Sequence, residues 1–445
     1  MLVDRLFQLR ARGTDLRTEV VGGASTFAAL SYIVFVQPAV LATTGMEPGA
    51  VLAATCLASA FATALMGLWA NYPIAVAPAM GHNFYFALVV AGPVAAGGLG
   101  CSWQVALGAN CIAGVLFLVL SLVGLRERLI DAIPASLKHA IAAGIGLLLA
   151  LVGFEWAGVV RAAPGTLVAL GDLRHPAVLV AMGGTLLVGV LLARRQRGAL
   201  LIGTLATGVA AVASGLVPYH GLVATPPSLA PTFARLDVAG ALVPRLLPAV
   251  LVLFLLGLFD TMGTLVGVAE QAGFLEGGRL PRAREAMATD ALGTIVGTVL
   301  GTSTVTAYVE SAAGVAEGAR TGLASLVTAA LLLGALFFAP LARMAGAPVQ
   351  VGGATLHPVV APALITVGSF MLRAVRRLEL DDPPVAVASF LTMVTMPFTF
   401  SITEGIAFGL IAYALLMLAA GRGREVHPLL FVFAALFAAR YAFLR

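Results

Sequence analysis

The sequence predicts an all-α polytopic membrane protein with fourteen transmembrane segments, built as two inverted seven-span repeats. Three observations carry that prediction. Of the 445 residues, 60% are hydrophobic and 11% charged, where soluble domains carry about 25% charged residues. Long apolar runs recur from Val20 to Met417, each of a length suited to a bilayer. The arginines gather in short connections that follow even-numbered runs.

Spans are expected at 20–42, 49–70, 73–92, 101–124, 135–156, 177–193, 198–217, 240–271, 283–301, 303–318, 321–342, 356–373, 384–400 and 402–420. The leader holds Arg5, Arg10, Arg12 and Arg17. Arg126, Arg128 and Lys138 follow the fourth span, and Arg194, Arg195 and Arg197 the sixth. Arg279, Arg282 and Arg284 follow the eighth, Arg320 the tenth, and Arg373, Arg376 and Arg377 the twelfth. Positive loops stay cytoplasmic, so this pattern predicts a cytoplasmic N-terminus in the cell's inner (plasma) membrane. The leader MLVDRLFQLRARGTDLRTE is polar and unlike a cleavable signal, which predicts that the first helix stays as an anchor. The last apolar piece, 427–443, is read as an extra helix at the membrane or on the bundle.

The basic residues sit in short loops, not on one soluble face, which argues against a nucleic-acid partner. Cys56, Cys101 and Cys111 lack metal-ligand spacing and read as small buried hydrophobes.

The polar, proline-containing stretch 218–238 divides the spans seven and seven. Odd-numbered repeats fused in one chain must have opposite topology, as in many secondary transporters. The third span, YPIAVAPAMGHNFYFALVV, opens with a β-like run and breaks at Pro78. The tenth, GTSTVTAYVESAAGV, opens the same way. Spans 3 and 10 are therefore expected to be discontinuous, each a short strand followed by a half-helix. Such interrupted segments at matching positions point to a site at the membrane midplane.

Two acids lie deep in apolar sequence, Asp260 and Glu310. A carboxylate there costs about 2.5–3.5 kcal/mol on insertion scales, so it is seldom retained without a task. Glu310 stands ten residues before Arg320, about 15 Å along a helix and half the hydrocarbon thickness. Asn83 lies five residues past Pro78 at similar depth. His82, Tyr308 and Thr264 complete the candidate set. Each has a plainer reading: interhelical glue for Asn83, packing for His82 and Tyr308, back-bonding to their own helix for Thr261 and Thr264. Asp290 reads as a helix-start acid near the cytoplasmic edge. Carboxylates accept N–H groups, an amide both donates and accepts, and an aromatic face stacks. Half-helix N-termini add free backbone amides. This set suits a flat, neutral, N–H-rich heterocycle better than a sulfate-like anion. Burial raises a carboxylate's proton affinity, so Asp260 and Glu310 are also the proton-coupling candidates.

At these residues the chain resembles the nucleobase–cation symporter-2 superfamily, in its azaguanine-type adenine/guanine/hypoxanthine permease branch. The matching stretches include TEVVGGASTFAALSYIVFVQPAVL, ANYPIAVAPAMGHNFYF, LFDTMGTLVGVAEQAGF, TDALGTIVG, TSTVTAYVESAAGVAEGARTGL and MPFTFSITEGIAFGLIAY. The resemblance implies a core domain from 1–125 and 239–343, and a gate domain from 126–238 and 344–424, with an apolar helix at 425–445. It implies import of a purine base with protons by elevator-like alternating access, Asp260 and Glu310 holding the base and Asn83 and Tyr308 beside it. It implies no cofactor beyond the coupling ion, H⁺, with Na⁺ left open, and homodimers are common among similar proteins. Four positions depart from the family pattern: Gly257 where many relatives have a second acid, Gln37 in place of asparagine, His82 in place of leucine, and Ala79 in place of glycine. The alternatives are a xanthine or uracil symporter, then a sulfate-permease-like anion carrier. An intramembrane enzyme fits least, since no HExxH motif occurs and Asp260 lacks a second spanning aspartate.

Overall fold

The computed structural model describes residues 2–94, 98–123, 133–163, 166–196, 198–274 and 280–443. Arg126, Arg128, Arg197, Arg279 and the expected boundary at 125–126 lie outside the described residues. The described chain is mostly helical. A short leader helix, Leu2–Phe7, precedes α1 (Leu16–Ala42), which breaks at Ser31–Tyr32. Then come α2 (Pro48–Ala70), strand β1 (Val76–Pro78) and α3 (Met80–Phe84, widened into a π turn over Tyr85–Val90). Next are α4 (Trp103–Val123), α5 (Ala135–Trp156), a hairpin of β2 (Val160–Ala163) and β3 (Leu167–Leu170), α6 (Pro176–Ala193) and α7 (Ala199–Ala213).

The second half runs α8 (Leu247–Ala272), α9 (Ala283–Leu300), β4 (Val305–Ala307), α10 (Ser311–Ala316) and α11 (Gly322–Gly346). A hairpin of β5 (Val349–Val351) and β6 (Ala354–Leu356) leads to α12 (Ala361–Met371), α13 (Pro383–Thr399) and α14 (Ile402–Ala419). Among the described residues, eight helices are long and apolar enough to cross a bilayer. Each of α1–α14 overlaps one of the expected runs, though α10, at Ser311–Ala316, covers only part of its own. A further helix, α15 (Pro428–Phe443), packs along α14, where the Tyr441 hydroxyl donates to Glu404.

Packing sorts these helices into two groups. Helices α1, α2, α4, α8, α9, α10 and α11 pack on one another, while α5 packs on α12, α13 and α14, and α6 on α7 and α12. In the first group β1 and β4 cross antiparallel, pairing Val76 with Ala307 and Pro78 with Val305. The ladder is closed at both ends by equivalent bonds, Ala79 N–H to Thr304 O (3.0 Å) and Tyr308 N–H to Ala75 O (2.9 Å). Flanking helices repeat the theme. Thr63 of α2 both donates to Val76 O and accepts from its N–H (3.0 and 2.9 Å). Thr294 of α9 does the same for Val305 (2.9 and 3.1 Å). A hydroxyl that saturates a strand's outer edge replaces the water that a bilayer does not provide.

Small residues let the broken segments sit close to their neighbours. A Cβ on Gly314 of α10 would lie 2.3 Å from Thr26 Oγ1 and 2.5 Å from Gly22 O, so α10 rests on the α1 backbone. A Cβ on Gly322 would lie 1.9 Å from Gly67 O, bringing the start of α11 onto the end of α2. Such small-residue contacts are the membrane's substitute for hydrophobic association.

Candidate substrate site

The strand crossing sets where the two deep acids stand. Glu310 directly precedes α10, and the Gly314 contact fixes α10 against α1. The break in α1 places Tyr32 opposite, and its hydroxyl donates to Glu310 Oε1 at 2.9 Å. Asp260 lies at the middle of α8, which packs beside β4 and α10. Its Oδ2 accepts from Thr306 Oγ1 of β4 at 3.0 Å. Asp260 is exposed and Glu310 partly so, in a segment whose neighbours are largely buried. The exposed face continues along α8: a Cβ on Gly263 or Gly267 would have no neighbour within 4 Å. These acids therefore lie on an open face, not in an enclosed cavity.

The other end of the bundle is closed. Phe84 of α3 meets Trp156 of α5 with ring centres 6.1 Å apart, and Trp156 in turn packs on His357 at 4.5 Å. A cavity of about 60 Å³ lies there, lined by Val40, Thr43, Phe84, Val152, Glu155 and Trp156 among others.

The remaining candidates are placed differently. Tyr308 is buried; its hydroxyl donates to Pro78 O and its ring lies 6.5 Å from Tyr32. It braces the strand crossing and Tyr32 instead of offering an open face. Asn83 is wholly buried, with its Oδ1 accepting from Ser303 Oγ. Gln37 joins that cluster, its Nε2 donating to Thr302 Oγ1 (3.0 Å) and Ser303 Oγ (2.9 Å). The longer amide at position 37 reaches hydroxyls of the tenth segment across the core. His82 is buried, with Nε2 unpartnered and 3.8 Å from where a Gly257 Cβ would stand, so the ring fills space that Gly257 leaves. Thr264 is buried one turn past Asp260.

Three expectations are corrected. Asp290 is not an edge acid: it is the eighth residue of α9, fully buried, and accepts from Thr261 Oγ1 (2.6 Å) and Ala307 N–H (2.9 Å). Thr261 accordingly bonds across to α9 instead of back to its own helix. The first amides of α10 are not free either, since those of Ser311, Ala312 and Ala313 close turns onto Tyr308, Val309 and Glu310. A segment this short satisfies its leading N–H groups by tightening. Tyr32, Thr306 and Asp290 were invisible as site residues, because long-range crossings bring them in. The sequence signal nearest to them was the β-branched run around Thr306.

Comparison with known proteins agrees with this architecture. A putative permease of Methanocaldococcus jannaschii is 44% identical, covering 99% of this chain and 98% of its own length. The guanine/hypoxanthine permease PbuG of Bacillus subtilis is 42% identical over 99% of both chains. The adenine permease AdeP of Escherichia coli is 39% identical, covering 100% of this chain and 96% of its own. Among solved structures, the transmembrane domain of a cyanobacterium bicarbonate transporter, BicA, superposes with a TM-score of 0.62 at 16% identity, over 89% of this chain and 97% of that one, which shows a shared fold. The model of the Permease family matches residues 17–408. With two strands crossing amid apolar helices and two acids on one open face, the chain belongs to the Permease family, as a multi-pass membrane transporter and not an enzyme.

Proposed function

We propose that this protein imports purine nucleobases of the adenine/guanine/hypoxanthine class together with protons. The observation that carries the reading is the pair Asp260 and Glu310. They come from different elements, reach one open face of an apolar bundle, and are held by hydroxyls of Thr306 and Tyr32. An ionised carboxylate accepts several hydrogen bonds, so both keep lone pairs for a ligand's N–H groups. A purine base presents such groups around a flat, neutral ring. The relatives named as guanine/hypoxanthine and adenine permeases support the same class. An anion carrier of the BicA fold type fits less well, since two carboxylates repel an anionic cargo.

In this reading α1–α4 and α8–α11 form the substrate-holding core of a fourteen-span, inverted-repeat transporter, and α5–α7 with α12–α14 form the gate. The core slides like an elevator, exposing the acids to each side in turn. The open face along Gly263 and Gly267 leads toward the C-terminal end of α8, whose connection to α9 carries Arg282 and which the arginine pattern assigns to the cytoplasm. The N-terminus lies on that side, in the plasma membrane.

The experiment is uptake of labelled adenine, guanine, hypoxanthine, xanthine and uracil by transport-deficient cells expressing the protein. Uptake of the first three, abolished in Glu310→Ala, is expected. Uptake confined to xanthine or uracil would move the substrate to the sister class. Full uptake in Glu310→Ala would remove the site assignment.

A further inference from the structure

Asp290 is a charge-bearing group that substrate binding does not use. It is fully buried between α8, α9 and β4. Its Oδ2 receives two hydrogen bonds, from the Thr261 hydroxyl at 2.6 Å and the Ala307 amide at 2.9 Å. Its Oδ1 is buried with no partner among the described residues. The adjacent residues in each element, Asp260 and Thr306, are bonded to each other at 3.0 Å. The consecutive pairs Asp260–Thr261 on α8 and Thr306–Ala307 on β4 are thus joined twice, directly through Asp260 and Thr306 and through Asp290, with Asp260 on the open face and Asp290 behind it.

The elements packed on α9 bring few titratable groups to this acid. They are Cys56 of α2, Cys111 of α4, Asp260 and Glu270 of α8, and Tyr308 and Glu310 just beyond β4, with no lysine or arginine on those stretches; the helix of Asp290 itself adds Arg284 and Glu285 in its first turn, about 9 and 7.5 Å away along the axis. Glu270 stands ten residues past Asp260, about 15 Å along the helix. A buried carboxylate with one bare oxygen, no cation and a second acid close by is a costly arrangement. A single proton resolves it. Paired acids in one site titrate together and share such a proton.

We propose that Asp290 is a positioning residue that carries the coupling proton behind the substrate acids, an assignment that rests on the transport reading above. With the proton on, Asp290 is neutral and the Thr261 and Ala307 bonds hold Asp260 and Thr306 in register for the base. When the proton leaves to water on the inner side, only an O–H bond breaks. The resulting pair of charges pushes α8, which carries Asp260, away from α9, which carries Asp290, and loosens the grip on the base. Asp260 and Glu310 then act as ligands, and the proton is counted one layer deeper.

The test compares wild type with Asp290→Asn, a permanently neutral side chain that still offers an oxygen to Thr261 and Ala307. In proteoliposomes the variant is expected to exchange base across the membrane. Its accumulation under an imposed gradient of about one pH unit should fall roughly tenfold, the whole of the proton's driving factor. Accumulation equal to wild type would overturn the proposal. A second measurement needs no substrate: the infrared carbonyl band of a buried protonated carboxyl should be present in ligand-free wild type and absent in Asp290→Asn. The same band in both proteins would overturn the assignment. Wild type that shows the band yet transports no purine would instead sink the substrate reading. Should Asp290→Asn not fold, Thr261→Val serves: losing a donor to the ionised form, it is expected to shift the band's pH midpoint upward, and an unmoved midpoint would contradict the proposal.

Discussion

At the scale of single residues, the site rests on hydroxyl–carboxylate pairs. Tyr32 holds Glu310 and Thr306 holds Asp260. A hydrogen bond to a charged group contributes about 1.5–3 kcal/mol, so Tyr32→Phe is expected to weaken base affinity roughly tenfold while leaving the protein folded. Calorimetric titration of the purified variant checks it, and unchanged affinity would show that Tyr32 does not orient Glu310. Asp260 and Glu310 were legible in the sequence because an acid in apolar sequence stands out at any distance from its partners. Asp290 was not legible in the same way. It lies only six residues past Arg284, which by depth alone places it near the membrane edge. What makes it central is β4 passing alongside α9, a crossing that local sequence does not encode. Tyr308 shows the converse: its extended run is legible in the sequence, but its hydroxyl turns to Pro78 O and closes the crossing.

At the scale of elements, two short strands that few bilayer proteins could tolerate are saturated by one threonine each. Thr63 serves Val76 and Thr294 serves Val305, each with a pair of reciprocal bonds. Replacing either with valine leaves a buried N–H and C=O unpaired, at about 1–3 kcal/mol per group. Thr63→Val and Thr294→Val are each expected to lower the thermal denaturation temperature, and by similar amounts because the two environments match. Loss in one variant alone would break the equivalence of the two halves. The break at Pro78 and the Thr-rich opening of the tenth segment announced these strands. Their pairing with each other, and the threonines that cap them, follow from helix packing and could not be read locally. Outside the strand-opened third and tenth segments, most helix termini lie within a few residues of the expected runs, because hydropathy and proline or glycine breaks act locally. The start of α8 came later, since the chain first makes short turns over Val238–Ala241 and Pro244–Leu246.

At the scale of the whole molecule, the two ends of the bundle differ. One end is shut by Phe84, Trp156 and His357, while the face of α8 that carries Asp260 is open past Gly263 and Gly267. Phe84 lies on α3, which packs on α1 and α8, and Trp156 lies on α5 of the other group, so their contact must part if the groups move relative to each other. A Phe84→Cys, Trp156→Cys protein, with Cys56, Cys101 and Cys111 replaced, is expected to lose uptake when bridged by a short bis-methanethiosulfonate, which forms a disulfide to each thiol and releases sulfinate. Uptake that survives bridging would show that this seam stays closed throughout the cycle.

The central claim is that Asp260 and Glu310 together hold a purine base on that open face. It is tested most directly by thermal stabilisation of the purified protein across adenine, guanine, hypoxanthine, xanthine, uracil and sulfate. Purines are predicted to raise the denaturation temperature of wild type, with the effect lost in both Asp260→Asn and Glu310→Gln. Stabilisation by sulfate instead, or purine stabilisation that persists in both variants, would contradict the account.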